Sequence, residues 1–237
     1  MKLTHEKSLL ALTVFAVLCF TTSVQAQVIR WAGRVDVGGD RVSILHAPDN
    51  RFIALDPPVT VSDFGFNPSA LAPGMRYSGL ARLLGLPDRV LAKADVIAFE
   101  GNGGHPGGAG ISNGWESSTW TFSDGINSHT IRFNELASPS QYPTLYPALV
   151  ANGSIRGADG TFLSGGNAYN AFFGMCPPNP GVISYILFDL DAVRPAINTA
   201  SPNFSIRVEN GFTADKKFGE GTPDPDAIGI FSSCPSK

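Results

Sequence analysis

The chain has 237 residues, 43% of them hydrophobic and 16% charged, and carries a net charge of −3. That apolar share allows a sizeable core, which excludes a disordered protein, and the length suits one β-rich domain. With no basic stripe to displace counterions from phosphates, a nucleic-acid or anionic-membrane partner is also excluded.

Residues 1–26 read as a secretory signal peptide. Lys2 and Lys7 form its basic start, an apolar run extends from Leu9 to Val17 and on through Leu18 and Phe20, and Val24-Gln25-Ala26 is the small-residue exit. The run is shorter than the ~20 residues that span a bilayer. Cleavage would leave residues 27–237 as a single β-rich domain in an extracellular or periplasmic compartment. Cys19 departs with the leader, because Leu18 stands before it where a lipoprotein site takes a small residue. Cys176 and Cys234 then remain, and in an oxidising compartment they are expected to pair. Such a bridge restricts the unfolded chain by about 4 kcal/mol in the loop-entropy picture.

The 26 glycines and 18 prolines are spread along the sequence, which marks frequent turns and leaves little room for long helices. Val28 to Val37 reads as a strand, Gly38-Gly39-Asp40 as a turn and Arg41 to His46 as its return. Arg51 to Leu55 and Val59 to Val61 continue that sheet around Pro57-Pro58. Between Tyr77 and Ala94, Leu80, Leu83, Leu84, Leu91 and Ala94 stand at helical spacings broken by Gly85 and Pro87. This predicts two short helical turns capping one end of the sheets, followed by a strand from Asp95 to Phe99.

Gly101 to Gly114, half glycine, joins that strand to the clearest unit in the chain. In Ser117 to Phe133, Thr119, Thr121 and Ser123 alternate with Trp120 and Phe122. Asp124-Gly125 then supplies a turn, and Thr130 to Phe133 alternate on the return, which is a strong hairpin signal. A further hairpin is expected to join Ser154–Arg156 to Thr161–Leu163. Val182 to Leu190 reads as a buried central strand, and Phe204–Val208 and Ala227–Phe231 as the last two. The sum is an all-β fold: an antiparallel two-sheet sandwich, jelly-roll-like, with a short helical insert around residues 77–94 and a partly open barrel as its competitor.

Several chemistries fail on residue types. The glycine-rich segment has no following lysine and no helix to present amides to a phosphate. Copper-dependent polysaccharide oxidation requires an N-terminal histidine, whereas the expected first residue is Gln27. A serine triad lacks its G-x-S-x-G among only three mature histidines, His46, His105 and His129. Paired carboxylates for glycoside cleavage remain as Glu100, Glu116 and Glu135, near Trp115 and Trp120.

Asp189 and Asp191, at the end of an apolar strand, and Asp224 and Asp226, around Pro225, supply oxygens of the kind calcium takes, without the EF-hand spacing. The Phe188-Asp189-Leu190-Asp191 stretch resembles strand ends of concanavalin-like lectins over those four residues, and no ligand set is carried over from it. Asn152-Gly153-Ser154 and Asn203-Phe204-Ser205 meet the N-glycosylation pattern; in a eukaryotic source Asn152, read as lying in a turn, is the expected acceptor, whereas in a bacterial source both are accidents of composition.

The leading expectation is an exported, non-catalytic sandwich that binds carbohydrate or another surface. Trp31, Trp115 and Trp120 would be flat sugar platforms, and His105 a loop contact. A polysaccharide hydrolase using two of the three glutamates, and a structural envelope protein with no small ligand, are the alternatives.

Overall fold

Trp120, Phe122 and Phe188 meet at ring-centroid separations of 5.0–6.3 Å, and around them two antiparallel sheets pack face to face. The computed structural model describes residues 27–37, 40–43, 59–65, 75–102, 117–134, 137, 139–155, 182–210, 225 and 227–233. Its first sheet contains β1 (Gln27–Trp31), β5 (Val96–Asn102), β8 (Leu149–Ser154), β9 (Val182–Phe188) and β11 (Ala227–Ser233), in the order β1-β11-β5-β9-β8. The second contains β2 (Arg34–Val37), β3 (Asp40–Ser43), β4 (Val59–Asp63), β6 (Ser118–Ser123), β7 (Ser128–Phe133) and β10 (Ser205–Asn210), in the order β3-β2-β4-β10-β6-β7. The all-β sandwich expected from the turn spacing is the fold observed, with separate sheets rather than a barrel.

Burial explains the arrangement. In β6 the alternation leaves Trp120 and Phe122 fully buried between the sheets and Thr119, Thr121 and Ser123 half-buried on the opposite face. Enclosing each such aromatic contributes about 2–3 kcal/mol before entropic costs. β9 is buried on both faces, as an apolar run with little alternation implies. Phe188 faces the second sheet, whereas Leu187 and Tyr185, at alternate positions, share the far face with Ile97, Phe99, Trp31 and Phe231.

That far face is covered by the helical insert. α1 (Tyr77–Leu84) ends at Gly85, whose φ of 60° is a left-handed cap, and Pro87 precedes α2 (Asp88–Leu91). Leu80, Leu84 and Leu91 are buried in the core, Tyr77 meets Phe231 edge-on at 6.0 Å, and Trp31 Nε1 donates to the Met75 carbonyl at 3.0 Å. α1 touches β1 and α2 touches β8, the two edges of the first sheet. The insert therefore lies across the sheet as a third layer, not at its end as the sequence suggested.

Two strand expectations are corrected. Val28 to Val37 is not one strand: the Ala32 N–H still bonds Ile228 of the first sheet at 2.9 Å, and the Gly33 N–H already bonds Asp63 of the second at 3.3 Å. The chain changes sheets between those residues, drawn in one direction by fully buried Trp31 and in the other by pairing of β2 with β4. β8 covers Leu149–Ser154, ahead of where the Ser154–Arg156 strand was expected. It lies at a sheet edge with every residue half-buried, and so shows no alternation. Gly153 allows Tyr185 to lie over it, since a Cβ there would come within 3.1 Å of the phenol oxygen.

Candidate functional site

Register, not sequence proximity, brings the candidate segments to one place. At one end of the first sheet Asn102 pairs with Val182, the Ile155 N–H bonds the Ile183 carbonyl at 2.9 Å, and Ala227 pairs with Phe99. Segment 103–116 leaves β5 here, 156–181 leaves β8 and returns into β9 here, and 211–226 enters β11 here. In the second sheet Ser118 pairs with both Phe133 and Asn210, so 103–116 arrives, and 211–226 departs, on adjacent strands. Sandwiches characteristically carry binding residues on loops gathered at one strand end, held by a rigid scaffold.

Six of the residues singled out from the sequence belong to these segments: His105, Trp115, Glu116, Cys176, Asp224 and Asp226. All six lie outside the described residues, as do Glu135, Cys234 and residues 1–26. Glu100 stands in β5 opposite Ser184, two residues before the segment that carries His105, Trp115 and Glu116. The strands flanking the two cysteines meet the first sheet at opposite ends. Val182, six positions after Cys176, lies opposite Asn102, while β11 runs out beyond the Ile230–Val96 pair toward Cys234.

Two of the three platform tryptophans are corrected. Trp31 and Trp120 are both 0% exposed, one beneath the helical layer and one between the sheets. Trp120 Nε1 donates to Ser118 Oγ at 2.8 Å, so even its polar edge is turned inward. Neither presents a flat face to a ligand, and Trp115 is the remaining tryptophan.

At the other end of the sheets two aspartates act as clamps. Asp95, just ahead of β5, accepts the Leu190 N–H at 2.7 Å and the Asp191 N–H at 3.3 Å, both on Oδ2. Burial raises its pKa above the ordinary carboxylate value, and the charges of Asp191 and Asp189 push in the same direction against those two amides. Asp124, 5% exposed at the β6–β7 turn, accepts the Ile126 and Asn127 N–H groups on Oδ1 at 2.9 and 2.7 Å and the Asn198 N–H on Oδ2 at 3.1 Å. Ser201 Oγ donates to its carbonyl at 2.6 Å. The amides of Asn127, Asn198 and Ile126 lower its pKa to about 2.

The calcium candidates divide. Asp189 Oδ1 accepts the Ala192 N–H at 3.0 Å and so shapes its own turn, while Asp191 is exposed. Among the described residues no three His, Cys, Asp or Glu side chains are grouped to hold a metal ion, and no helix is long and apolar enough to cross a membrane. The clamping roles of Asp95 and Asp124 are not legible in the sequence, because only a short turn-former's position is visible there and the segments they hold, at Leu190, Asp191 and Asn198, are 74–96 residues away.

No protein-family model matches the chain, and neither a curated protein nor a solved structure matches it.

Proposed function

We propose that the chain is an exported, non-catalytic β-sandwich that binds a carbohydrate or another extracellular surface through the segments attached at the shared strand end. The observation that supports this reading is the register, which sets the departure points of 103–116, 156–181 and 211–226 side by side. The burial of Trp31 and Trp120 directs the aromatic contact to Trp115, which lies within the first of those segments. An indole face gives a sugar ring apolar contact at little entropic cost, and polar residues of the neighbouring segments would supply its hydrogen bonds. A Cys176–Cys234 disulfide belongs to the same reading, checked by thiol titration of the denatured, unreduced protein.

The test is a glycan array and a cell-wall pull-down with the wild type and Trp115→Ala. Binding by the wild type and at least a tenfold loss in the variant, with Tm unchanged, is the expected result. A wild type that binds nothing on either overturns the proposal. Turnover of a polysaccharide, abolished in Glu100→Gln or Glu116→Gln, would replace it with the hydrolase reading.

A further inference from the structure

Asn152 and Asn203 share an acceptor pattern, and the fold separates them sharply. Asn152 lies inside β8, paired with Ile186, half-buried and already engaged with a neighbour. The next residue, Gly153, is covered by the Tyr185 ring. Asn203 lies in the turn before β10 and is exposed. Its N–H donates to Ser201 Oγ at 3.2 Å, and among the described residues its side-chain amide has no hydrogen-bond partner. Phe204 is 3% exposed and packs on Phe64 at 5.5 Å, which anchors the turn and leaves Asn203 on the outside.

A second observation points the same way. Ile126 is 92% exposed at the tip of the β6–β7 turn, the most exposed large hydrophobic side chain among the described residues. Asn203 lies against that turn: a Cβ built on Gly125 would fall 2.7 Å from Asn203 Cβ and 3.2 Å from Nδ2. The nitrogen that would carry a sugar is therefore beside the backbone one residue from Ile126. The Asp124 clamp holds the two turns together through Asn198 and Ser201. An apolar sugar face laid over Ile126 would remove from water a side chain that nothing described in the chain covers.

We propose that Asn203 is an N-glycosylation acceptor and that its first sugar packs over Ile126, while Asn152 is not used. In the transfer, Asn203 Nδ2 forms a bond to C1 of the oligosaccharide. The bond from C1 to the diphosphate of a lipid-linked donor breaks, its electron pair leaves with the diphosphate, and the displaced amide proton passes to a carboxylate of the transferase. Nothing is oxidised or reduced.

The proposal rests on the export reading, and the experiment separates the two. The full chain with its own leader is expressed in a eukaryotic secretory host, and the protein in the medium is weighed before and after peptide N-glycosidase. The expected result is a glycan mass that the enzyme removes, leaving aspartate at position 203. That mass should be lost in Asn203→Gln and in Ser205→Ala and kept in Asn152→Gln. The enzyme-treated protein and Asn203→Gln should each bind more apolar dye than the glycosylated form, and adding Ile126→Ser should cancel the increase. Exported protein without the mass, or with it on Asn152, overturns this proposal alone; a chain retained inside the cell overturns export as well.

Discussion

Asp95 and Asp124 hold together the same end of the sandwich by the same device, a carboxylate accepting backbone N–H groups from a distant segment, yet their pKa values move in opposite directions. The difference lies in how the oxygens are used and in what surrounds them. Asp124 receives amides on both oxygens, two from its own turn and one from Asn198, so its negative charge is well matched by donors. Asp95 receives both of its amides on one oxygen, is partly desolvated, and faces the charges of Asp191 and Asp189. Burial sets the direction at Asp95 and the amides on both oxygens set it at Asp124, so the number of clamping contacts alone does not decide whether a carboxylate is better off charged.

The comparison breaks most severely at Gly125, the residue after the better clamp. Its φ of 88° is a left-handed conformation that an L side chain adopts at a cost of about 1–2 kcal/mol. A methyl group there would also collide with Asn203. Gly125→Ala is expected to destabilise the protein by about 2 kcal/mol or more, which is roughly 4–8 °C in Tm by calorimetry.

Asp124→Asn should have the next largest effect. Asparagine can keep one acceptor oxygen, but its NH2 group then meets an N–H where Oδ2 stood, donor against donor. A fall of several degrees in Tm at pH 7 is expected. Because the folded pKa of Asp124 lies near 2, below its unfolded value, its contribution is complete above about pH 4 and is lost as the pH falls toward 2. Urea titrations of wild type and variant should therefore converge over that interval. A gap that persists to pH 2 would remove the electrostatic account.

Asp95→Asn should do least, and with a different sign. One amide oxygen can accept both the Leu190 and Asp191 N–H groups, and the substitution removes a charge held beside two others. Tm at pH 7 should stay level or rise slightly. A carboxyl with a raised folded pKa takes up its proton in the native state first, so in the wild type this group adds stability as the pH drops from neutral toward the ordinary aspartate range. The variant should lack that increment, and a marked fall in its Tm at pH 7 would show that Asp95 is needed as an anion.

Local regularity made much of the fold legible. The period-two pattern around Asp124-Gly125 placed β6 and β7, the apolar run placed β9, and the leucine spacing with Gly85 and Pro87 placed both helices. What escaped depended on partners far along the chain. Nothing within Val28 to Val37 announces that Ala32 bonds one sheet and Gly33 the other, because the carbonyls that decide it belong to Ile228 and Asp63. Trp31 and Trp120 failed as platforms for a related reason. Alternation put Trp120 and Phe122 on one face of β6, but only the opposing sheet, through Phe188, made that face the interior. The gathering of three connecting segments at one strand end was equally hidden, since it follows from register alone.

The pairing of β1 with β11 also imposes a timetable. Val28 meets Ser232 across the sheet, 204 positions later, so the first described strand waits for the last described strand to be made. At about 5–20 residues per second, roughly 10–40 s separate the appearance of the two partners. Throughout that interval the seat for Trp31 beside Gly229 does not yet exist. A nascent chain of this topology cannot complete its first sheet until β11 has been synthesised, and so belongs among the slow, late-folding β proteins.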